Sequence, residues 1–152
     1  MKQALFNLVA SLVSGASLAA TPSVVNDTEL SLGGIAIGDT RASVLRKLGE
    51  PCRTTDTGDF LNIRLDYPGI TVWVGEGSRV GEVLSTSNRH CTPAGLCPGA
   101  PFNEANVPYG PPAIVHRDDG VYLEYPSAES SCWLQVVVGQ GSVRSVRAEC
   151  QP

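Results

Sequence analysis

The chain has 152 residues, 42% of them hydrophobic, and sets eleven Lys and Arg against fifteen Asp and Glu for a formal charge of −4. That balance argues against a nucleic-acid partner, and the interspersed charges read as a solvated surface. Two histidines in all leave little material for acid–base catalysis.

Residues 1–20 have the pattern of an export signal. Lys2 is the only early charge, Ala4 to Val13 is apolar apart from Asn7 and Ser11, and Ser17-Leu18-Ala19 is a small-x-small cleavage site. A buried N-terminal helix is the alternative reading. Cleavage after Ala19 or Ala20 removes Lys2 and no acid, so ten basic side chains then face fifteen acidic ones, a charge of −5. No Cys stands near that site to take a lipid, and no later run is long enough to cross a bilayer. The expected product is a monomer in a periplasm or outside a cell. All five cysteines follow the signal. Export makes disulfides the default, and an odd count leaves one thiol or an intermolecular bridge.

Residues 21–33 read as an N-terminal arm, loose from Thr21 to Asn26. From Asp27 to Gly38 the chain is apolar and glycine-rich, suited to a short helix or strand. Gly34 to Pro51 then carries helix signals. Asp39 or Thr40 serves as N-cap, Val44, Leu45 and Leu48 form a stripe, Arg46 and Lys47 occupy the last turn, and Gly49 and Pro51 stop the helix. Strand-like runs follow at Cys52–Thr55, Phe60–Tyr67, Ile70–Gly75 and Val80–Ser87, separated by short turns. Gly34, Gly38, Gly49 and Pro51 recur as Gly95, Gly99, Gly110 and Pro112 at one offset, the mark of a tandem repeat. In this second copy Pro101 suits a first helical turn, but Pro108 disfavours helix at its own position and the one before it, leaving one short turn or an irregular segment. Further strands are expected at Ala113–Arg117, Val121–Tyr125, Cys132–Gly139 and Val143–Cys150. Leu123-Glu124-Tyr125-Pro126 echoes Leu65-Asp66-Tyr67-Pro68.

The fold class expected is α+β: two tandem repeats, 34–90 and 91–152, each a short helical segment packed on a four-stranded antiparallel meander. Together they make a roughly eight-stranded layer with one open face. If Gly141 centres the last hairpin, Cys132 lies opposite Cys150, close enough for a disulfide. Cys91 and Cys97 flank the junction and form the second expected pair, leaving Cys52 free. Cys52 with Cys91 is the rival pairing.

Gly38-Asp39-Thr40 through Val44 to Leu48-Gly49-Glu50-Pro51, followed by a meander, resembles the SmpA/OmlA outer-membrane assembly lipoproteins (BamE). Two such units in tandem, with disulfides, are similar to the secreted β-lactamase inhibitory protein family (BLIP). The resemblance implies a fold and a habit of binding proteins, with no target. The lipoproteins' attachment Cys is absent here, and no inhibitor loop motif carries over.

Alternation supplies the candidate site. With Leu61, Ile63, Leu65 and Val72 turned to the helix, Phe60, Arg64 and Trp73 turn outward. In the second half Leu123, Tyr125, Leu134 and Val136 face in, and Tyr122, Glu124, Trp133 and Arg147 face out. Trp, Tyr and Arg are enriched at binding hot spots, so this layer is the expected protein-binding surface. Alternatively, these aromatics are half-buried where the two units meet, or a one-residue bulge reverses a strand. Other constellations are thinner. His90, Cys91 and Cys97 make three ligands where a zinc site wants four. His116 with Asp118, or Cys52 beside Arg53, would be the material of an envelope enzyme, although Asp118-Asp119-Gly120 also reads as a hairpin turn. A structural envelope protein linked through the odd cysteine is a third reading. The expectation is an inhibitor, immunity or envelope-assembly module with no cofactor, no metal and no enzymatic activity.

Overall fold

Prolines and glycines decide where this chain stops being regular. In the computed structural model, which describes residues 20–105 and 108–151, the regular elements between them are nearly all strands. The expected signal peptide lies outside the described residues, apart from Ala20.

A two-stranded hairpin comes first: β1 (Ser31–Leu32) and β2 (Ile35–Ala36). It leads into the single α-helix of the described residues, α1 (Arg41–Leu48). Thr40 caps α1, its Oγ1 accepting from the Ser43 N–H at 3.1 Å, and Gly49 closes it at φ 81°. Asp39 ties helix to hairpin instead of capping. Its Oδ2 accepts from the Ala36 N–H at 3.1 Å and from Lys47 Nζ at 2.8 Å.

Eight strands follow: β3 (Arg53–Asp56), β4 (Ile63–Tyr67), β5 (Ile70–Val74), β6 (Val80–Ser85), β7 (Ala113–Arg117), β8 (Gly120–Pro126), β9 (Cys132–Gly139) and β10 (Ser142–Cys150). They form one antiparallel sheet in the order β3-β4-β5-β6-β10-β9-β8-β7. Two meanders therefore meet at their last strands, β6 against β10.

The expected fold class needs correction. The described residues are mostly β, with ten strands in two sheets and one α-helix, not two repeats each with a helical segment on its own meander. The second segment forms only a 3-10 turn at Phe102–Glu104, because Pro98, Pro101, Pro108, Pro111 and Pro112 interrupt it. The inner face of the sheet is covered by α1, by the β1–β2 hairpin, and by the irregular stretch around Leu96 and Ala105. Leu30, Leu32, Ile35, Val44, Leu96 and Ala105 join Leu65, Val72, Val83, Leu134, Val136, Tyr125 and Ala148 in one core. The segment expected to be a loose arm is tied down as well. Ser23 N–H donates to Pro111 O at 2.8 Å, Val25 N–H donates to Pro126 O at 3.0 Å, and Val25 is buried.

Cys132 pairs with Cys150 and Cys91 with Cys97, while Cys52 is free and exposed. The first bridge depends on a bulge. The β9–β10 turn at Gln140-Gly141 sets Gly139 opposite Ser142, and the register then shifts between Val143 and Ser145. That extra residue brings Cys132 opposite Cys150. Two disulfides fit an exported protein. No helix among the described residues is long and apolar enough to cross a membrane.

Candidate binding face and its cavity

The pleat sends every second side chain to the face away from α1, and the strand register aligns these side chains into rows. One row crosses six strands: Arg64, Trp73, Glu82, Glu149, Trp133 and Pro126, each directly opposite the next. The adjoining row holds Asp66, Thr71, Leu84, Arg147, Gln135 and Glu124. Both tryptophans thus share a row, with two glutamates between them.

Like charges directly opposite one another are destabilising, and Arg147 offsets this pair. It is hydrogen-bonded to Glu82 and stands 4.0 Å from Glu149. Its guanidinium carbon also lies 5.7 Å from the centre of the Trp73 ring, and that of Arg64 lies 5.4 Å from the same ring. Arg64 is held in turn by Asp66 at 2.8 Å. Cation–π attraction and ion pairing therefore fix Trp73 from two sides of the network. The network continues through Gln135, whose Nε2 donates to Glu124 at 3.1 Å and to Glu149 at 3.4 Å. Glu124 also accepts from Arg117 at 2.6 Å, and Arg117 lies 4.5 Å over the Tyr122 ring.

Burial pushes the Glu82 carboxyl up from the usual glutamate value; Arg147 pulls against this and Glu149 adds to it. Burial likewise raises Glu149, against the opposing pull of Arg147 and Arg117. Both carboxylates are therefore partly desolvated on a face that still meets water.

A cavity of about 290 Å³ opens beside Trp73, lined by Phe60, Leu61, Gly81, Glu82 and Asp59 among others. It exists because residues 57–62 leave the sheet. The alternation of Phe60–Tyr67 predicts a strand from Phe60, but β4 begins at Ile63. Thr57 holds the connection, its N–H donating to Asn62 O at 2.9 Å and its Oγ1 to Leu61 O at 2.7 Å. The connection lies over a second bulge, at Gly81, where pairing shifts from Trp73–Glu82 to Val74–Val80. A Cβ on Gly81 would stand 2.5 Å from Leu61 Cδ2, so only glycine admits Leu61 here undisturbed.

Of the sequence-expected residues, Arg64, Trp73, Glu124 and Arg147 belong to one connected network, and Trp133 stands in the row beside Glu149. Tyr122 joins at the far end through Arg117, its hydroxyl donating to Asp119 at 2.7 Å. Two expectations are corrected. Phe60 is not on a strand but in the 57–62 connection, 61% exposed at the cavity. Leu61 lines that cavity instead of facing the helix. Glu82, Gln135, Glu149 and Arg117 were missed by the sequence reading. Strict alternation from Val80 turns Glu82 inward, and only the Gly81 bulge turns it out. Gln135 and Glu149 fall on the outer face by the same alternation that selected Trp133 and Arg147.

The two alternative catalytic candidates stand at opposite edges of the sheet. His116 is on β7 at one edge of the sheet, and Cys52 precedes β3 at the other. Among the described residues no group of three or more His, Cys, Asp or Glu is placed to hold a metal ion.

No family model matches the chain, and no curated protein matches it in sequence. Two solved structures share its fold. A DUF4309 family protein (YjgB) from Bacillus subtilis is 15% identical with a TM-score of 0.53, over 78% of this chain and 83% of the other. An extracellular protein containing an SCP domain, from Bacillus anthracis, is 14% identical with a TM-score of 0.52. That match takes in 92% of this chain and 50% of the other, so this chain spans half the length of that protein. Neither is described as an outer-membrane assembly lipoprotein or a β-lactamase inhibitor. At these identities the likeness is one of fold alone.

Proposed function

We propose that this chain is an exported protein-binding module, of the inhibitor, immunity or envelope-assembly kind, which takes a protein partner on the outer face of its eight-stranded sheet. The observation that carries this reading is the row from Arg64 through Trp73 and Glu82 to Glu149 and Trp133. Aromatic and arginine side chains concentrate there, held in place by one another before any partner arrives. Pre-ordering lowers the entropy lost on association, and Trp, Tyr and Arg dominate measured hot spots.

The test is comparative capture from periplasmic and secreted extracts. The mature, disulfide-bonded chain is the bait, beside a Trp73→Ala/Trp133→Ala variant whose fold is checked by circular dichroism. A stoichiometric protein taken by the parent and lost by the folded double variant is the expected result. Equal capture by both would remove the sheet face from consideration.

A further inference from the structure

We propose that the cavity beside Trp73 receives a basic side chain, lysine or arginine, of the protein partner; this rests on the sheet-face reading above and names the chemistry of one of its subsites.

The argument begins with charge. Asp59 and Glu82 line the cavity, and Glu149 stands directly opposite Glu82 across the β6–β10 pair. Arg147 is the cation that answers the two glutamates, and Arg64 is already engaged by Asp66. The locality therefore keeps more negative than positive charge, and a cation entering it is attracted. An anionic group would meet the carboxylates of Asp59 and Glu82, with Glu149 behind Glu82. A purely apolar side chain would strip further water from Asp59 and Glu82 without offering a donor in return.

Shape selects among cations. Phe60, Leu61 and Trp73 and the bare backbone of Gly81 make most of the wall apolar. Lysine and arginine bury an aliphatic stem along such a wall and carry the charge at its end. The stem lies against Phe60 and Leu61, and the charged head reaches the carboxylates. Trp73 is already approached by two guanidinium groups, so the incoming charge is assigned to Asp59 and Glu82. The cavity is pre-formed, since the Thr57 bonds hold the connection and Asp56 Oδ1 accepts from the Gly58 N–H at 3.0 Å.

Two small probes test this on the mature, disulfide-bonded chain: n-butylguanidinium, and n-butylurea as its neutral counterpart. Each is titrated while the Leu61 methyl and Trp73 indole resonances are followed. The guanidinium should bind saturably at these positions and the urea about tenfold more weakly, the worth of one charge-assisted hydrogen bond. Glu82→Gln should remove most of that preference. Asp59→Asn, in the connection outside the strands, gives the same reading if Glu82→Gln disturbs the sheet. Equal binding of the two probes, or a guanidinium preference untouched in both variants, overturns the assignment. The two readings fail separately. Partner capture that depends on Trp73 and Trp133 without any guanidinium preference sinks only the basic side chain. Guanidinium binding with capture that ignores both tryptophans sinks the sheet face, and with it the partner assigned to this cavity.

Discussion

In the first meander, Val80 at the start of the fourth strand exchanges 2.8 Å backbone hydrogen bonds with Gly38 and Asp39; in the second, Val143, one residue into the fourth strand, exchanges them with Gly99 and Ala100, again at 2.8 Å. The Tyr67 hydroxyl donates to Gly49 O at 3.1 Å, and the Tyr125 hydroxyl donates to Gly110 O at the same distance. Each fourth strand bulges just after its first contact, at Gly81 and at Arg144. The meanders differ in what lies over the bulge. The β7–β8 connection is a tight turn at Asp118-Asp119, whereas residues 57–62 between β3 and β4 lie over Gly81 and deliver Leu61. The first connection closes a cavity over its bulge, whereas the second is a two-residue turn that stays at the sheet's end. The two meanders differ in the connection, and the strands supply the frame.

The largest test concerns the two tyrosines. Tyr125 is fully buried beside Tyr109, and burial pushes its hydroxyl up to about 12. Tyr125→Ala should lower stability in urea unfolding by about 3–5 kcal/mol, the range for large aromatic truncations. Tyr67, only partly buried, should cost clearly less; equal losses would mean that the first meander packs its anchor as tightly as the second. The disulfides sharpen the same contrast, since only the second meander is cross-linked within the sheet. Cys132→Ser with Cys150→Ser should cost about 3 kcal/mol. An unaffected unfolding midpoint would show the β9–β10 pairing to be sufficient alone.

Gly81→Ala probes the bulge directly. The new Cβ would press on Leu61, and a cost of about 1–3 kcal/mol is expected for forced overpacking. The Leu61 methyl resonances should shift with it. An unperturbed Leu61 would contradict the seating described for the connection.

A smaller effect follows from Glu82 and Glu149. Because burial raises both carboxyls, the folded chain binds these protons more tightly than the unfolded chain does. Their contribution favours folding at low pH. It is lost as pH rises from the ordinary glutamate value of 4.5 through the raised values. Glu82→Gln with Glu149→Gln should flatten that part of the stability profile, read from urea midpoints at successive pH values. A slope identical to the parent would place the titrating groups elsewhere. The smallest effect is expected at the other bulge, where Arg144 lies on the surface against Gln140. Arg144→Ala should stay within about 0.5 kcal/mol of the parent.

How much of this was legible in the sequence varies by feature. Turn residues and alternation placed the strands well, because Pro68-Gly69 and Gln140-Gly141 permit only tight reversals. Centring a hairpin on Gly141 reached the Cys132–Cys150 pair, although the turn is at Gln140-Gly141 and the bulge at Arg144 supplies the extra residue. Features set by contacts far along the chain were not legible. Phe60 and Leu61 continue the alternation of β4, yet Leu61 goes to the space that Gly81 leaves open. Nothing near residue 60 announces a glycine twenty residues on. Glu82 was missed for the same reason, since a bulge is invisible to periodicity. The expectation of two tandem repeats came from matching glycines, which mark where the chain turns and not what lies between the turns. The short turn at Phe102–Glu104 was legible, because Pro108 disfavours helix in the second copy.

The strand order has a consequence for how the chain reaches its final form. Strand β6 gains its second neighbour only when β10 arrives, after β7, β8 and β9 have been laid down. A nascent chain that has emitted everything up to Gly139 therefore holds one edge of β6 open and lacks the strand that joins the two meanders. Closure is deferred to the end of the described chain, and a long-range pairing of this kind is formed slowly. In an exported polypeptide this order leaves the sheet unjoined until the β10 segment is available. The Cys132–Cys150 bridge then fastens β10 to β9.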